Sequence, residues 1–446
     1  MSNTLPLQTT ARASLPSATR HGLGWTFAAA ALLTGCQQIP QPPTYTTPAL
    51  TAQPPRIEAG QSVRLSWDAP LGTSLRMSGL TATPPGAVLV RPAQTTTYTL
   101  SGPAPSGAPI TASVTVEVLP DDEPLARLRI AEPATGASIA ADFLGLAHDA
   151  GQAQQLMGDP ATGPVNASYR KLLRKLQNYG SGPLSIRMDS SSGGGPATPA
   201  MLRPLVQLAR DLPTRFILGV SPDAPARRLY ADLPAGTFTL ETARGANDCP
   251  AVEQLAHAAP PQGSRRCTAG PGAGLGFESA LGTAHMLMDY AQWGVAGVNL
   301  RSDLWNTEGT LQAVEPQYYG MLFFAQFAGA QGQWLQTQLE SGARIKAWAV
   351  RDARNQTVRV AVINQEPSTQ GTVAVQLPAG LRQAVVTRLT TSDPLRLAGQ
   401  TFDGSRDGRP LGTAYGEILE ADSNGQLLLA MGANSAALLT LTPSAP

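Results

Sequence analysis

The sequence has few of the residues that build metal and redox centres. Three cysteines and four histidines occur in 446 residues, and no two histidines have the close spacing typical of a shared zinc site. The sequence also has almost no excess of positive over negative charge, because the formal net charge is +1 at pH 7. Nucleic-acid binding requires a strongly basic surface. We therefore expect no metal, no cofactor and no nucleic-acid partner.

The N-terminus resembles the export signal of a bacterial lipoprotein. A short basic region precedes an apolar run, Leu23 to Leu33, that is too short to span a bilayer. The run leads into Leu-Thr-Gly-Cys36, which resembles a lipobox, where cleavage precedes the cysteine and acylation follows on it. The resemblance implies a signal peptide over 1–35 and a lipid anchor on Cys36. Since Gln37 follows, it also implies the outer membrane of the bacterial envelope. The alternative is a plain signal peptide with an incidental cysteine.

The next two segments differ in composition. Residues 36–53 are rich in Pro, Thr and Gln and predict an extended tether. Residues 54–120 contain short stretches that alternate apolar and polar residues, separated by Pro and Gly, which predicts an all-β module. The module resembles bacterial immunoglobulin-like (Ig-like) domains, so we expect a β-sandwich that acts as a spacer. Trp67 and Tyr98 either stack on sugars or, as we favour, pack in its core.

The remaining chain predicts two more domains. Residues 127–335 alternate strand and helix patterns, which predicts a (β/α) barrel, although the segment is shorter than the usual ~250 residues. In residues 336–446 apolar and polar residues alternate again, which predicts a C-terminal β-sandwich. The expected fold class is therefore multidomain α/β plus all-β: an Ig-like β-sandwich, a contracted TIM-like (β/α) barrel and a C-terminal β-sandwich.

Five segments in this part resemble the heparanase and β-glucuronidase family of retaining glycosidases, glycoside hydrolase family 79. They are residues 142–149, 184–194, 288–303, 318–329 and 345–366. The resemblance implies a barrel that carries the active site and a β-sandwich packed beside it. It also implies that residues 127–140 supply early strands of that sandwich.

The chain departs from the family at the positions that carry catalysis. The family uses two glutamates about 5 Å apart as nucleophile and acid/base. The positions that match them are Arg244-Gly245 and Arg265-Arg266, and the family's histidine in the last-strand motif is matched by Arg301. These departures predict a glycosidase-like body that does not cleave its ligand.

The stretch between the two glutamate positions is also contracted, and it contains Cys249 and Cys267. An exported chain meets an oxidising compartment, so we expect these cysteines to form a disulfide across an incomplete barrel. Two buried thiols or a metal site are the alternatives.

The expected cleft end of the barrel strands carries polar side chains that we assign to ligand binding. They are His148, Asp149, Arg187, Asp189, Arg301, Asp303 and Trp305. Arg187 and Arg301, joined by Arg265 or Arg266, would meet a uronate carboxylate through paired hydrogen bonds. The alternative is that these arginines only neutralise Asp189 and Asp303.

Three functions follow. The favoured one is an envelope-anchored lipoprotein that binds or organises uronic-acid-containing polysaccharide without cleaving it. The second is an active retaining glycoside hydrolase with relocated carboxylates, for which Glu241, Glu278 and then Asp189 are the candidates. For Glu278 we favour a simpler explanation, a favourable negative charge at a helix start. The third is a structural or assembly lipoprotein whose β modules contact other envelope proteins.

Overall fold

The computed structural model describes most of residues 49–442. It leaves out 59–60, 69–74, 78–79, 83–85, 93–94, 104–106, 120–123, 133–136, 160, 180–181, 190–195, 242–247, 256–264, 271–275, 277, 302–304, 307–312 and 392. The predicted signal peptide, Cys36 and most of the predicted tether lie outside the described residues. No helix in the described part has the length and apolarity needed to cross a membrane.

The N-terminal module consists of eight strands in two sheets. They are β1 (Ala49–Gln53), β2 (Arg56–Glu58), β3 (Val63–Asp68), β4 (Leu75–Met77), β5 (Leu80–Ala82), β6 (Gly86–Pro92), β7 (Thr96–Pro103) and β8 (Pro109–Leu119). One sheet begins β1-β3-β6 and the other has the order β2-β8-β7-β4-β5. Trp67 and Tyr98 are buried in the core of this module, as favoured above. Residues 49–53, expected to be tether, instead pair with β3.

Strands and helices then alternate through residue 301. The elements are β9 (Ala126–Ala131), β10 (Leu144–Asp149), a 3₁₀ helix (Ala150–Gln152), α1 (Ala153–Met157), α2 (Ala167–Gln177), β11 (Leu184–Asp189), α3 (Pro199–Asp211), β12 (Thr214–Leu218), α4 (Ala224–Arg228), β13 (Phe238–Leu240), α5 (Val252–Leu255), β14 (Arg266–Ala269), α6 (Ala280–Trp293) and β15 (Gly297–Arg301). β10 to β15 form one six-stranded sheet with the order β13-β12-β11-β10-β15-β14, and all its pairs are parallel.

This sheet is a barrel with a gap. The first strand, β10, pairs with the last, β15, as the ends of a closed barrel do. Among the described residues, no ladder joins β13 to β14. The gap falls where the sequence is contracted. β14 was not predicted from the sequence, because its four residues, Arg266-Cys267-Thr268-Ala269, are too few for their alternation to stand out.

The predicted disulfide lies at this gap. Cys249 is bonded to Cys267 of β14 with an S–S distance of 2.02 Å. The preceding residue, Asp248, forms a parallel bridge with Thr268, and the Cys249 amide donates to the Thr268 carbonyl at 2.9 Å. The chain that leaves β13 is therefore fastened along β14.

The C-terminal part begins with a two-stranded ribbon and a buried helix, followed by the sandwich. The elements are β16 (Trp305–Asn306), β17 (Ala313–Val314), α7 (Pro316–Ala328), β18 (Gly332–Ser341), β19 (Ile345–Asp352), β20 (Val358–Asn364), β21 (Gly371–Gln376), β22 (Gln383–Thr390), β23 (Arg396–Leu397), β24 (Glu417–Glu420), β25 (Gln426–Met431) and β26 (Ser435–Leu441). The first half of β18 pairs with β19 and its second half with β9, so this strand belongs to both sheets of the sandwich. β9 also pairs with β21.

One sandwich sheet is buried on both faces. Alternate residues of β20 point in opposite directions. Val360 and Val362 pack in the sandwich core, whereas Ala361 and Ile363 pack in the core that contains the barrel helices. The barrel helices therefore pack on one face of this sheet and the sandwich core on the other, so the two domains share it.

The N-terminal module joins the same sheet, which runs continuously from β1 through β24. β6 pairs with β24 in parallel. Beside this junction the Glu417 carboxylate accepts from Arg388 of β22 at 3.0 Å and lies 2.6 Å from Nε of Arg91 of β6. The Glu417 side chain is 4% exposed, and burial lowers the pKa of Arg388. The module is thus anchored to the sandwich by a buried charge triad.

Removing the central charge of this triad should destabilise the protein strongly. Glu417→Ala leaves two arginines facing each other in a buried site, which costs about 3–5 kcal/mol. The matched control is Glu117→Ala, which removes an exposed ion pair to Arg56 of 2.9 Å and should cost less than ~1 kcal/mol. Denaturant unfolding measures both, and equal losses would contradict the anchoring role.

Removing the disulfide should also destabilise the barrel. The bond closes a loop with a sequence separation of 18, which corresponds to roughly 3 kcal/mol in the chain-entropy model. The Cys249→Ser, Cys267→Ser double variant should lose about this much free energy of unfolding. Wild-type protein measured with reductant should match the variant, and an unchanged midpoint in both would contradict the assignment.

Candidate functional site

The inner face of the barrel sheet is polar because of strand alternation. In β11, Leu184, Ile186 and Met188 are buried against the helices. The intervening Ser185, Arg187 and Asp189 point the other way, toward the barrel axis. β11 therefore delivers an arginine and a carboxylate to the interior.

Register brings charged residues from three strands, β11, β13 and β15, to one end of the sheet. Arg187 and Arg301 both lie beside Ala147 of β10, one on each side. Asp189 lies one layer higher, near the carboxyl end of the strands. Glu241 directly follows β13, and its amide donates to the Leu218 carbonyl at 2.9 Å. This is the end of a parallel barrel at which active sites are built.

These four side chains form one hydrogen-bonded network, which we call the Arg187 cluster: Arg187, Asp189, Glu241 and Arg301. Arg187 donates from Nε to Asp189 Oδ1 at 2.8 Å and from Nη1 to Glu241 Oε2 at 3.0 Å. Arg301 donates from Nη2 to Asp189 Oδ2 at 3.0 Å. One buried guanidinium therefore holds both carboxylates.

Exposure differs sharply within the Arg187 cluster. The side chain of Arg187 is 8% exposed, whereas those of Glu241 and Arg301 are 41% and 55% exposed. The exposed members of the cluster are thus one carboxylate and one cation.

A glycine makes room for Asp189. A Cβ atom on Gly219 would lie 2.5 Å from Asp189 Oδ1, which is closer than atoms of this kind approach. Gly219, directly after the neighbouring strand β12, therefore leaves the space that the Asp189 carboxylate occupies beside Arg187.

Arg266 was expected near the ligand, but it lies at the opposite end of the barrel. Its guanidinium donates to the Phe143 carbonyl at 3.0 Å and to the Asp142 carbonyl. It also lies 3.6 Å from the Asp142 carboxylate. Burial lowers the pKa of Arg266. Because β14 runs parallel to the other strands and begins at this residue, Arg266 lies at the amino-terminal end of the strands and fills the floor of the interior.

His148 also departs from its prediction. Its ring lies on the outer face of β10, where Nε2 is 3.1 Å from the hydroxyl of Tyr169 in α2. The residue is buried, and this burial lowers its pKa to about 4. His148 is therefore a neutral packing residue between β10 and α2. It lies two residues after Leu146, so its side chain points to the same, outer side of the strand.

The other predicted residues separate into three groups. Asp149 caps the following 3₁₀ helix by accepting from the Gly151 amide at 2.7 Å. Glu278 precedes α6 and accepts from Gln317 at 2.6 Å, outside the Arg187 cluster. Asp303, Arg244-Gly245 and the side chain of Trp305 lie outside what the structure describes.

Three buried polar residues of the inner face had not been assigned to the site. Ser185, Thr268 and Asn299 are buried beneath the Arg187 cluster. Each alternates with apolar strand residues, and that alternation was the available signal. Among the described residues, no group of three His, Cys, Asp or Glu side chains could hold a metal ion.

Comparison with known proteins gives similarity of fold only. No family model matches the chain, and no curated protein matches it in sequence. Solved structures with a similar fold include a family 51 α-L-arabinofuranosidase from Bifidobacterium longum, with 10% identity, a TM-score of 0.47 and coverage of 72% of this chain and 100% of that one. Another is a family 51 α-L-arabinofuranosidase from Thermotoga petrophila, with 10% identity, a TM-score of 0.48 and coverage of 71% and 99%. A third is a family 30 endoxylanase from Clostridium papyrosolvens, with 9% identity, a TM-score of 0.45 and coverage of 71% and 100%.

The buried histidine makes stability pH-dependent. The pKa of His148 falls from 6.5 in the unfolded chain to about 4 in the fold, so the unfolded state binds an extra proton between these values. Its contribution, roughly 3 kcal/mol, is complete above pH 6.5 and is lost as the pH falls toward 4. We expect unfolding free energies measured from pH 7 to pH 4 to fall less steeply in His148→Gln than in wild type.

Tyr169→Phe is the matched control for this titration. It removes the hydrogen bond of the ring but keeps the burial that lowers the pKa, so it should retain the wild-type slope. Identical slopes in His148→Gln and wild type would contradict the assignment.

Proposed function

We propose that the Arg187 cluster binds an acidic saccharide and does not cleave it. The observation that carries this proposal is that Asp189 and Glu241 are held by the same guanidinium. A retaining glycosidase places its two carboxyl groups about 5 Å apart, on either side of the bond to be broken. Here the space between the two carboxylates is occupied by Arg187.

Arg187 cannot easily leave that position. It is a buried cation, and separating it from its carboxylates would leave an uncompensated charge inside the barrel. The carboxylates are thus used to neutralise Arg187. The departure from the family's pattern at its catalytic positions, noted in the sequence, supports the same conclusion.

Ligand recognition falls to the exposed members of the cluster. Among the described residues, Arg301 bonds to Asp189 through one nitrogen, and the other nitrogens of its guanidinium can pair with a ligand carboxylate. Asp189 holds the Arg301 guanidinium in place before the ligand binds, which reduces the conformational entropy lost on binding. Glu241 can accept from sugar hydroxyls beside it. A uronic-acid unit carries both groups.

The location is proposed from the N-terminal sequence. Lipid on Cys36 would tether the body to the bacterial outer membrane, where uronic-acid-containing polysaccharide is a fitting ligand. The resemblance to family 79, whose members include β-glucuronidases, supports a uronic-acid ligand. Contacts of the β modules with other envelope proteins are a further possible role of the same anchored body.

A second candidate function is hydrolysis with relocated carboxylates. It is favoured by the exposure of Glu241 at the end of a barrel strand, beside Asp189. In that case Glu241 would be the acid/base or nucleophile, and turnover of a glycoside would depend on it.

Binding should depend on Arg301. Arg301→Ala removes the exposed guanidinium. It should weaken the affinity for a uronic-acid trisaccharide about tenfold or more and leave the affinity for a neutral trisaccharide unchanged. Isothermal titration calorimetry measures both affinities.

Arg210→Ala is the matched control, since Arg210 is also exposed and bound to one aspartate, Asp232, at 2.9 Å, but lies on α3. It should bind like wild type. Equal affinities of Arg301→Ala and wild type for the acidic sugar would overturn the proposal.

A further inference from the structure

A polar groove of about 440 Å³ lies between the barrel helices and the shared sandwich sheet. One wall contains Asn178, Tyr179 and Gln326, from the ends of α2 and α7. The opposite wall contains Arg354 and Arg359, from the β19–β20 hairpin. Because α2 follows β10 and runs back along it, the groove lies at the end of the barrel opposite the Arg187 cluster. The two sites share no residue.

The hairpin wall is rigid. Buried Asp352 accepts from the Arg354 amide at 3.0 Å and from the Arg359 guanidinium at 3.2 Å. Asn355 accepts from the Thr357 amide at 3.1 Å, which leaves its NH₂ group as a donor. Arg354 and Asn355 are exposed at the tip and line the groove. The wall is therefore built before any ligand binds.

A glycine at the end of α7 fixes the other arginine. Gly329 has a φ of 53°, and a Cβ atom there would lie 2.4 Å from Arg359 Nη1. Arg359 therefore lies flat against the main chain, paired with Asp352, and contributes no net charge. Among the described lining residues, Arg354 supplies the one uncompensated cation.

The chemistry of the groove favours hydroxyl groups and a single negative charge. The carbonyl ends of α2 and α7 lie at its edge, and their partial negative charge disfavours a multiply charged anion such as phosphate. Free carbonyls accept hydrogen bonds from hydroxyls. The amides of Asn178 and Gln326 can both donate and accept, as a sugar hydroxyl does. Burial raises the pKa of Tyr179, so its hydroxyl stays neutral.

We propose that this groove is a second saccharide site, which takes a sugar unit with one carboxylate. Arg354 pairs with the carboxylate, and the amides of Asn178 and Gln326 bind the hydroxyls. The proposal does not rest on the function of the Arg187 cluster.

The test uses methyl β-D-glucuronide and its neutral counterpart, methyl β-D-glucoside, with the purified protein. Ligand-observed NMR titration gives affinities, and hydrogen exchange of residues 352–357 reports binding at the groove. We expect the glucuronide to protect this hairpin and to bind more tightly than the glucoside. Arg354→Ala should weaken glucuronide binding at the groove about tenfold or more.

Three further variants make the result decisive. Gln326→Trp fills the groove while keeping every charge, and it should abolish protection of the hairpin. Arg409→Ala, an exposed arginine whose guanidinium is 3.4 Å from Asp407, should leave hairpin protection unchanged. Arg301→Ala should also leave it unchanged, whatever its effect on total binding. An unprotected hairpin in wild type, or full protection in Arg354→Ala or Gln326→Trp, would overturn the groove proposal and leave the Arg187 cluster untouched.

Discussion

The architecture of the candidate site depends on one buried cation, Arg187. Its side chain enters the interior of the barrel from the middle strand of the sheet and must be neutralised there. Asp189 of the same strand and Glu241 of β13 supply the compensating charge, and Asp189 in turn orients Arg301. The cluster contains two cations and two anions, so the barrel end is electrically balanced while its rim stays polar. Within the part of the chain that the structure describes, both carboxylates of the cluster pair with Arg187.

A barrel that lacks strands needs other means of support. The disulfide at β14 fastens one border of the gap, and Arg266 fills the floor of the interior with hydrogen bonds to main-chain carbonyls. On the opposite side the barrel helices pack on a sheet that also forms one face of the sandwich. That sheet extends into the N-terminal module across β6 and β24. The module expected to be a separate spacer therefore shares its strands with the rest of the body, and the Arg187 cluster rests on this continuous framework.

Local patterns predicted much of the barrel. The alternation of strand and helix patterns over residues 127–335 was visible in the sequence, because both patterns depend only on neighbouring residues. Successive side chains of a strand point to opposite faces, so His148 and Asp149 of β10 could not both line the interior of the barrel. Pairing between distant segments could not be read in this way. β14 has only four residues, so its alternation is a weak signal. The β6–β24 ladder joins residues that are more than three hundred positions apart, so it leaves no local signal. The sharing of Arg187 by two carboxylates depends on register across three strands and was equally hidden.

The central claim is that the carboxylates at the barrel end are committed to Arg187 and are not available for catalysis. The most direct test is turnover of a panel of aryl β-glucuronides and related aryl glycosides by the purified protein, compared with Glu241→Gln. The account predicts that wild type and variant release no aryl alcohol above the uncatalysed rate while both remain folded. Clear turnover by wild type that disappears in Glu241→Gln would contradict it and would identify Glu241 as a relocated catalytic carboxylate.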